Sequence, residues 1–264
     1  MALSFTLLGS GSTGNVTLVS DGDTHILVDV GLSGKETARR LGECGLGPDQ
    51  ISAIVVSHEH GDHCRGVAPF AKHLDIPIFM TDGAYGKCVE SGVMIEDRKR
   101  QRVETGSGFE VCGLLFTPFA VPHDAADPIA LTIEKDGVKI AVVLDLGYIT
   151  KLVVERLKGC DGMILESNHD EKVLEVGPYP WALKQRIKGR LGHLSNDQVG
   201  QYLSDGFDGR ARHLILAHLS EKNNLPDLAM LSARRALEER SGLACPQTRL
   251  ELGRPDRISF TYRF

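Results

Sequence analysis

Apolar residues occur along the chain in short runs separated by polar residues, glycines and turns. Runs of roughly four to eight residues that are rich in β-branched and aromatic side chains are typical of strands. This pattern predicts strands at Phe5 to Leu8, Val16 to Val19, Ile26 to Val30, Ile51 to Val56, Pro77 to Met80, Leu114 to Ala120, Ile129 to Glu134, Lys139 to Leu144, Gly162 to Glu166 and His213 to Ala217. A helical period between some of the strands predicts helices at Gly34 to Leu41, Arg65 to His73, Leu152 to Leu157, Trp181 to Lys188, Asn196 to Ser204 and Leu228 to Arg240.

The order of these elements is not a steady alternation of strand and helix. The first three strands, and those between Leu114 and Leu144, follow one another with only short turns between them. We therefore expect an α/β fold in which two mixed sheets pack face to face, with helices on the outside.

Composition agrees with a folded protein. The chain has 264 residues, of which 42% are apolar and 25% charged. No low-complexity stretch, repeat or linker divides it, so we predict a single domain over residues 1–264. No apolar run approaches the roughly 18 residues that cross a bilayer, and the first ten residues lack the features of a signal peptide. We therefore expect a cytoplasmic protein without membrane association, and its six scattered cysteines are expected to be reduced thiols.

A cluster of metal-binding residue types follows the predicted strand Ile51 to Val56. His58, His60, Asp62 and His63 fall within six residues of each other. Random placement of the histidines and aspartates would give this H-x-H-x-D-H spacing with a probability of roughly one in a thousand, so a solvated polar loop explains it poorly. Neutral imidazole and carboxylate suit Zn, Mn or Fe, and the cluster predicts one wall of a metal site.

Further candidate ligands follow other apolar runs. His123, Asp145 and His218 each come directly after a predicted strand, where a side chain can point into a cleft. Taken singly, each has an ordinary alternative, because polar residues commonly cap strands or open turns. Together with the H-x-H-x-D-H segment they indicate a site for two metals.

These residues, in this order and with Asp29 at the end of an early strand, resemble the motifs of the metallo-β-lactamase fold. The resemblance implies a four-layer αβ/βα sandwich with two divalent ions, Zn, Mn or Fe, at one edge. It implies that one ion is bound by His58, His60 and His123, the other by Asp62, His63 and His218, and that Asp145 lies between them. Asp29 is implied to orient the ligand loop without binding metal.

Several segments narrow the resemblance to the YycJ or WalJ branch of this fold. They are Gly9 to Asn15, Glu166 to Asp170, Tyr179 to Trp181, Gly192 to Asn196, and His218 to Ser220 with Asn223 and Asn224. Members of that branch resemble bacterial 5′ to 3′ DNA exonucleases associated with mismatch repair. The likeness runs from about Phe5 to Pro226. It implies a nucleic-acid substrate, and in particular DNA.

Two of these segments contain candidate substrate-binding residues. His193 comes just before a predicted helix that Ser195 or Asn196 can cap, so an imidazole and backbone N–H groups would converge on an anion such as phosphate. An ordinary helix cap with an incidental histidine is the alternative. His169 at a strand end could bind phosphate or support a ligand, and a simple turn histidine is nearly as good an interpretation.

The remaining candidates are weaker. Ser12 and Asn15 lie in a small-residue turn that could face the cleft or could simply be a tight hairpin.

A net charge of −5 excludes attraction of nucleic acid by the overall field, but a local basic strip could still bind it. Candidates for such a strip are Lys184, Arg186, Lys188 and Arg190, although a solvated helix face is the more common explanation of such residues. Tyr179 and Trp181 could stack a base, but Trp181, the single tryptophan, could equally well pack in the core.

The expected function is that of a metal-dependent phosphodiesterase, in particular a DNA exonuclease. Two cations would generate a bridging hydroxide and neutralise charge on the phosphorus oxygens. Asp62 would orient the hydroxide, and His193 would contact the scissile phosphate or protonate the leaving oxygen. One alternative is a hydrolase of the same fold that acts on a thioester, a lactone or a small phosphodiester. Another is a non-catalytic, metal-stabilised module that binds nucleic acid.

Overall fold

The computed structural model describes residues 2–240 and 248–264. The chain divides into two compact units. Unit 1 comprises Met1–Ala120, Ala125–Ile129 and Arg254–Phe264, and unit 2 comprises Val121–Asp124 and Ala130–Gly253. The single domain over residues 1–264 stays a prediction. Five cysteines in the described ranges carry free thiols, whereas Cys245 lies outside those ranges.

The described residues form fourteen strands and nine helices. The strands are β1 (Leu3–Gly9), β2 (Val16–Asp21), β3 (Thr24–Val28), β4 (Ala53–Val55), β5 (Ile78–Thr81), β6 (Arg100–Val103), β7 (Phe109–Val111), β8 (Leu114–Ala120), β9 (Ile129–Lys135), β10 (Val138–Val143), β11 (Gly162–Glu166), β12 (His213–Ala217), β13 (Arg249–Leu252) and β14 (Tyr262–Arg263). The helices are α1 (Gly34–Glu43), α2 (Gly61–Cys64), α3 (Val67–Ala71), α4 (Asp82–Glu90), α5 (Lys151–Leu157), α6 (Glu171–Val176), α7 (Trp181–Lys188), α8 (Asn196–Asp205) and α9 (Pro226–Glu239).

The first sheet belongs to unit 1 and has seven strands in the order β14-β1-β2-β3-β4-β5-β6. β14, β1, β2 and β3 pair antiparallel, and β3 to β6 pair parallel. Its central strands bury Leu27, Ile54 and Met80, and α1 buries Leu41 in the same hydrophobic core. Full burial of such side chains contributes roughly 1.5–3 kcal/mol each, and it fixes the strand ends that carry the site.

The second sheet has seven strands in the order β13-β12-β11-β10-β9-β8-β7. β10 to β13 run parallel, whereas β9 is antiparallel to β10. β11 is buried along its whole length, which explains its almost continuous apolar sequence. Because parallel strands end at one edge of a sheet, the residues that end or follow β10, β11 and β12 lie together.

The predicted architecture is confirmed as two mixed seven-stranded sheets flanked by helices. The helix predicted at Arg65 to His73 is present but shorter, since α3 spans Val67–Ala71, and the sequence did not predict the short helix α2 that precedes it. Gly66 lies between them, and a Cβ at this position would approach the carbonyl oxygen of Leu32 to 1.9 Å. No helix within residues 2–240 and 248–264 is long and apolar enough to cross a membrane.

Candidate metal centre

Three residues predicted to build the site have left-handed backbone conformations just beyond strand ends. The φ angles of Asp29, Asp145 and His218 are 60°, 57° and 54°. Residues with a Cβ rarely adopt this conformation, which costs of order 1–3 kcal/mol. The chain thus turns sharply after β3, β10 and β12.

The first cluster consists of His58, His60, Asp62 and His63 in unit 1. The ring centroid of His58 lies 4.8 Å from that of His60 and 4.2 Å from that of His63. His60 is the N-cap of α2, and its carbonyl accepts a hydrogen bond from the His63 backbone N–H at 2.9 Å. This tight turn of helix brings the segment's polar side chains together directly after β4.

Asp29 fixes the orientation of this cluster. Its Oδ1 accepts a hydrogen bond from the Ser57 backbone N–H at 2.7 Å, and its Oδ2 accepts one from the Ser57 hydroxyl at 2.9 Å and one from His63 Nδ1 at 2.8 Å. Because the Ser57 hydroxyl donates its proton to Asp29, it accepts from His58 Nδ1, 2.9 Å away. Both imidazoles therefore carry their proton on Nδ1 and present Nε2 as the acceptor nitrogen.

The second cluster consists of Asp145, Glu166, His193 and His218 in unit 2. One nitrogen or carboxylate oxygen from each of these side chains lies within 4.8 Å of the others. Oε1 of the fully buried Glu166 accepts hydrogen bonds from Nδ1 of both His193 and His218, each at 2.8 Å. Asp145 Oδ1 lies 3.3 Å from each of the same two nitrogens.

The ionisation of Glu166 is set by its neighbours. Burial alone would raise its pKa, but the charge of His193 and the hydrogen bonds from His193 and His218 lower the pKa to about 2. Burial disfavours the charged form of His193, yet the charge and hydrogen bond of Glu166 raise the pKa of His193 above its ordinary value. Two backbone N–H groups, those of Leu146 and Leu194, also donate to Glu166 Oε2. Each oxygen of the Glu166 carboxylate therefore accepts two hydrogen bonds.

The sequence assigned no role to Glu166. The feature of the sequence that could have indicated a role is that Glu166 is an acidic residue at the end of the otherwise apolar strand β11. A carboxylate in that position needs partners, because an unpaired buried charge is strongly unfavourable.

His123 is oriented in the same way as the other imidazoles. Its Nδ1 donates to the carbonyl of Gly192 at 3.1 Å, and its Nε2 lies 3.7 Å from Asp145 Oδ1. Metal-binding histidines almost always donate their second ring N–H to a carboxylate, carbonyl or similar acceptor. The donor sets of both clusters therefore fit divalent metal ions.

Two residues predicted to bind substrate, Ser195 and Asn196, lie at the N-terminus of α8, where Ser195 is the N-cap. The Ser195 hydroxyl accepts from the Gln198 backbone N–H, and the Gln198 side chain accepts from the Ser195 N–H. Asn196 is buried, accepts from the Ser167 hydroxyl at 2.8 Å and donates to Asn224 Oδ1 at 2.9 Å. These contacts join neighbouring loops, and a contact with substrate stays a prediction for both residues.

The other three predicted substrate-binding residues differ in exposure. His169 is buried, and this burial lowers its pKa to about 4. Asn15 is also buried, accepts from the Gly11 backbone N–H and lies with Nδ2 3.0 Å from His63 Nε2. Ser12 is exposed.

The His193 side chain is 19% exposed, so solvent reaches the second cluster at this residue.

Two mixed sheets whose strand ends carry imidazole and carboxylate clusters define a metal-dependent hydrolase. Residues 24–219 match the beta-lactamase superfamily domain, and the chain belongs to this family.

Similarity to individual proteins confirms the branch. The chain is 33% identical over 240 residues to exodeoxyribonuclease YycJ of Bacillus anthracis, covering 91% of each protein. It is 31% identical over 230 residues to exodeoxyribonuclease WalJ of Streptococcus pneumoniae serotype 2, covering 86% of each. Among solved structures, the metallo-beta-lactamase fold protein YhfI from Bacillus subtilis is similar with a TM-score of 0.74 over 100% of both chains, at 15% identity. The chain is thus a YycJ-like member of the metallo-β-lactamase fold.

Proposed function

We propose that this chain is a metal-dependent phosphodiesterase that degrades DNA from its 5′ end. The observation that carries the proposal is the 33% identity with exodeoxyribonuclease YycJ over 91% of the chain. The two polar clusters supply the chemistry that such a reaction needs, since phosphodiester cleavage requires a strong nucleophile and compensation of negative charge.

The proposed ligands of two divalent ions are those implied by the sequence motifs: His58, His60, Asp62, His63, His123, Asp145 and His218. Support comes from the hydrogen bonds that place the Nδ1 protons of His58, His63, His123 and His218 on oxygen acceptors within their own units. When bound, the ions activate water near neutral pH and neutralise charge on the phosphoryl oxygens. Zn, Mn and Fe all suit this donor set.

Asp29 and Glu166 have positioning roles in the proposal. Asp29 holds His63 through Nδ1, and Glu166 holds His218 in the same way. A ligand ring that is fixed at one nitrogen loses less freedom when its other nitrogen binds a metal, and carboxylate partners also raise its basicity.

His193 is the proposed acid for the leaving oxygen. Its Nδ1 is held by Glu166, so its Nε2 can carry the proton that is transferred. Its partial exposure allows contact with a substrate. Asp62, whose side chain is 24% exposed, is proposed to orient the attacking water from the first cluster.

Cleavage of end-labelled DNA tests the proposal. Purified protein with Mn²⁺ or Zn²⁺ is incubated with single- and double-stranded oligonucleotides labelled at either end. Release of labelled mononucleotide first from the 5′ label, with progressive shortening of the 3′-labelled strand, is the expected result. The double variant Asp62→Ala, His63→Ala should be inactive. The matched control is Asp49→Ala, His73→Ala, which removes an exposed aspartate and an exposed histidine from the same unit.

Other outcomes distinguish the alternatives. DNA cleavage no greater than that of the ligand variant rejects the proposal. Much faster hydrolysis of thioesters, lactones or small diesters would favour another hydrolase of the same fold. Retention of DNA without turnover over several metals would favour a binding module.

A further inference from the structure

A groove of about 330 Å³ lies in unit 2, and some of its lining residues follow Asp145, a member of the second cluster, in the sequence. Its walls come from the segment after Asp145, from α5 and from α8, and they include Tyr148, Ile149, Val154, Gln201, Tyr202 and Asp205. The walls are aromatic and aliphatic, whereas an amide and a carboxylate supply polar groups. This combination is typical of sites for planar organic ligands.

The Tyr148 ring also contacts an exposed cation. The Arg190 guanidinium carbon lies 4.9 Å from the centroid of this ring, and Arg190 Nη2 donates to the Tyr148 hydroxyl at 3.2 Å. Stacking on the ring holds the guanidinium at the protein surface. A fixed surface guanidinium is well suited to bind phosphate.

The chain places this pair near the second cluster. Tyr148 lies three residues after Asp145, and Arg190 lies three residues before His193. Three residues span at most about 11 Å. The two segments are in direct contact, because a Cβ added at Gly147 would lie 2.3 Å from the carbonyl oxygen of Arg190.

Hydrogen bonds fix the segment that carries Tyr148. The Gly147 backbone N–H donates to the Pro122 carbonyl at 2.8 Å, and Gln198 Nε2 donates to the Gly147 carbonyl at 3.1 Å. The aromatic wall is therefore formed before any ligand binds, and little conformational entropy is lost when a ligand stacks on it.

We propose that this groove binds a nucleobase of the DNA strand being degraded, and that Arg190 binds the phosphate next to that base. The inference rests on the proposed nuclease function and specifies its substrate contacts. Aromatic rings stack with any base, and the Gln201 amide, whose Nε2 donates to the Asp205 carboxylate, can accept a hydrogen bond from a base edge through its oxygen. Since the net charge of −5 gives no general attraction for DNA, a local cation such as Arg190 is needed.

Steady-state kinetics on a single-stranded oligonucleotide tests both contacts. Tyr148→Ala is expected to raise KM roughly ten-fold through loss of base stacking, while Tyr148→Phe, which keeps the ring, restores most of the affinity. Arg190→Ala is expected to raise KM and to reduce the slope of log KM against log salt by about 0.7, as for the loss of one phosphate contact on a single strand. The matched control is Arg210→Ala, an exposed arginine three residues before β12, which should leave KM and the salt slope unchanged.

A substrate without terminal bases separates this binding role from a structural one. An oligonucleotide of the same length whose 5′-terminal nucleotides are abasic keeps the phosphates but offers no ring to stack, so Tyr148→Ala should lose several-fold less activity on it than on intact DNA. Binding is measured separately by fluorescence anisotropy with a phosphorothioate oligonucleotide that resists cleavage. Equal losses on both substrates, or wild-type oligonucleotide affinity in Tyr148→Ala, would overturn the groove's role. Binding that depends on Tyr148 without any DNA cleavage by the wild type would support the groove and reject the nuclease function.

Discussion

Glu166 Oε1 accepts a hydrogen bond from Nδ1 of His218 at 2.8 Å. The same oxygen accepts from Nδ1 of His193, also at 2.8 Å. One buried carboxylate thus orients both a proposed metal ligand and the proposed acid. Since both rings donate to a single oxygen, neither can change its tautomer or rotate without leaving a buried polar atom unpaired.

Replacing Glu166 with glutamine should therefore weaken the proposed site. The amide of Glu166→Gln has only one oxygen acceptor, and Oε2 at present also accepts two backbone N–H groups. Metal affinity is expected to fall about 10–100-fold, with a parallel fall in activity, as is usual when a partner of a ligating histidine is lost. Metal content after dialysis and kcat measure the effect. Glu175→Gln, an exposed change in α6, is the control, and normal metal content and kcat in Glu166→Gln would contradict the role.

Asp29→Asn tests the tautomer of His63. Asparagine tolerates the left-handed backbone of this position, where φ is 60°, so the loop can keep its shape. An amide N–H in place of Oδ2 would face the Nδ1 proton of His63 and favour the tautomer that carries its proton on Nε2. That tautomer lacks the nitrogen lone pair proposed to bind metal.

The expected result for Asp29→Asn is about a 10–100-fold loss of metal affinity with the fold retained. Zinc titration gives the affinity, and ¹⁵N chemical shifts of the histidine rings report the tautomer. Asp49→Asn at an exposed position is the matched control. Unchanged zinc affinity together with a changed tautomer would show that the His63 lone pair on Nε2 does not matter for binding.

How far the sequence predicts the molecule depends on the range of the contacts involved. The residues from His58 to His63 form their cluster within one turn, so spacing alone revealed them. Glu166 is separated by 27 residues from His193 and by 52 from His218. The pairing of β11 with β12 brings Glu166 to His218, and the segment before α8 brings His193 to the same carboxylate. No local pattern shows such a contact.

Strand β6 is missing from the predicted elements for a different reason. The sequence pattern predicts no strand at Arg100–Val103, yet these residues form β6 at an edge of the first sheet. Edge strands are commonly rich in charged side chains, which hide the usual apolar signal. Lys99 is buried, and its ammonium group donates to the Ala71 carbonyl at 2.9 Å.

Gly31 provides a test of the backbone that supports the first cluster. A Cβ at this position would lie 1.6 Å from the backbone carbonyl oxygen of Asp62, so Gly31→Ala must displace the ligand segment. We expect destabilisation by about 3 kcal/mol, measured by urea unfolding, together with loss of bound metal. The control is Gly42→Ala in α1, where a Cβ meets nothing within 4 Å. This control should be neutral or stabilising by up to about 1 kcal/mol, and equal stability of the two variants would contradict the close approach.

Stability at low pH should depend on Glu36 in α1. Hydrogen bonds from Arg39 and Arg40 lower the pKa of Glu36 from its ordinary value of 4.5 to about 2. Arg40 is itself buried and is held by the carbonyl groups of Leu8 and Pro255, so the partner of Glu36 is already in place. Because the pKa is lower in the folded protein than in the unfolded chain, the carboxylate stabilises the fold above pH 4.5, and this contribution is lost as the pH falls towards about 2.

The comparison that isolates this contribution is wild type against Glu36→Gln, with urea midpoints measured at several values between pH 6 and pH 2. Other carboxylates and the histidines titrate equally in both proteins, so their effects cancel in the difference. Wild type should be the more stable protein near neutral pH, and its advantage should shrink steadily below pH 4.5, where Glu36 protonates in the unfolded chain first. A difference that stays constant over the whole range would mean that the arginines act on Glu36 through packing of their side chains and not through its charge.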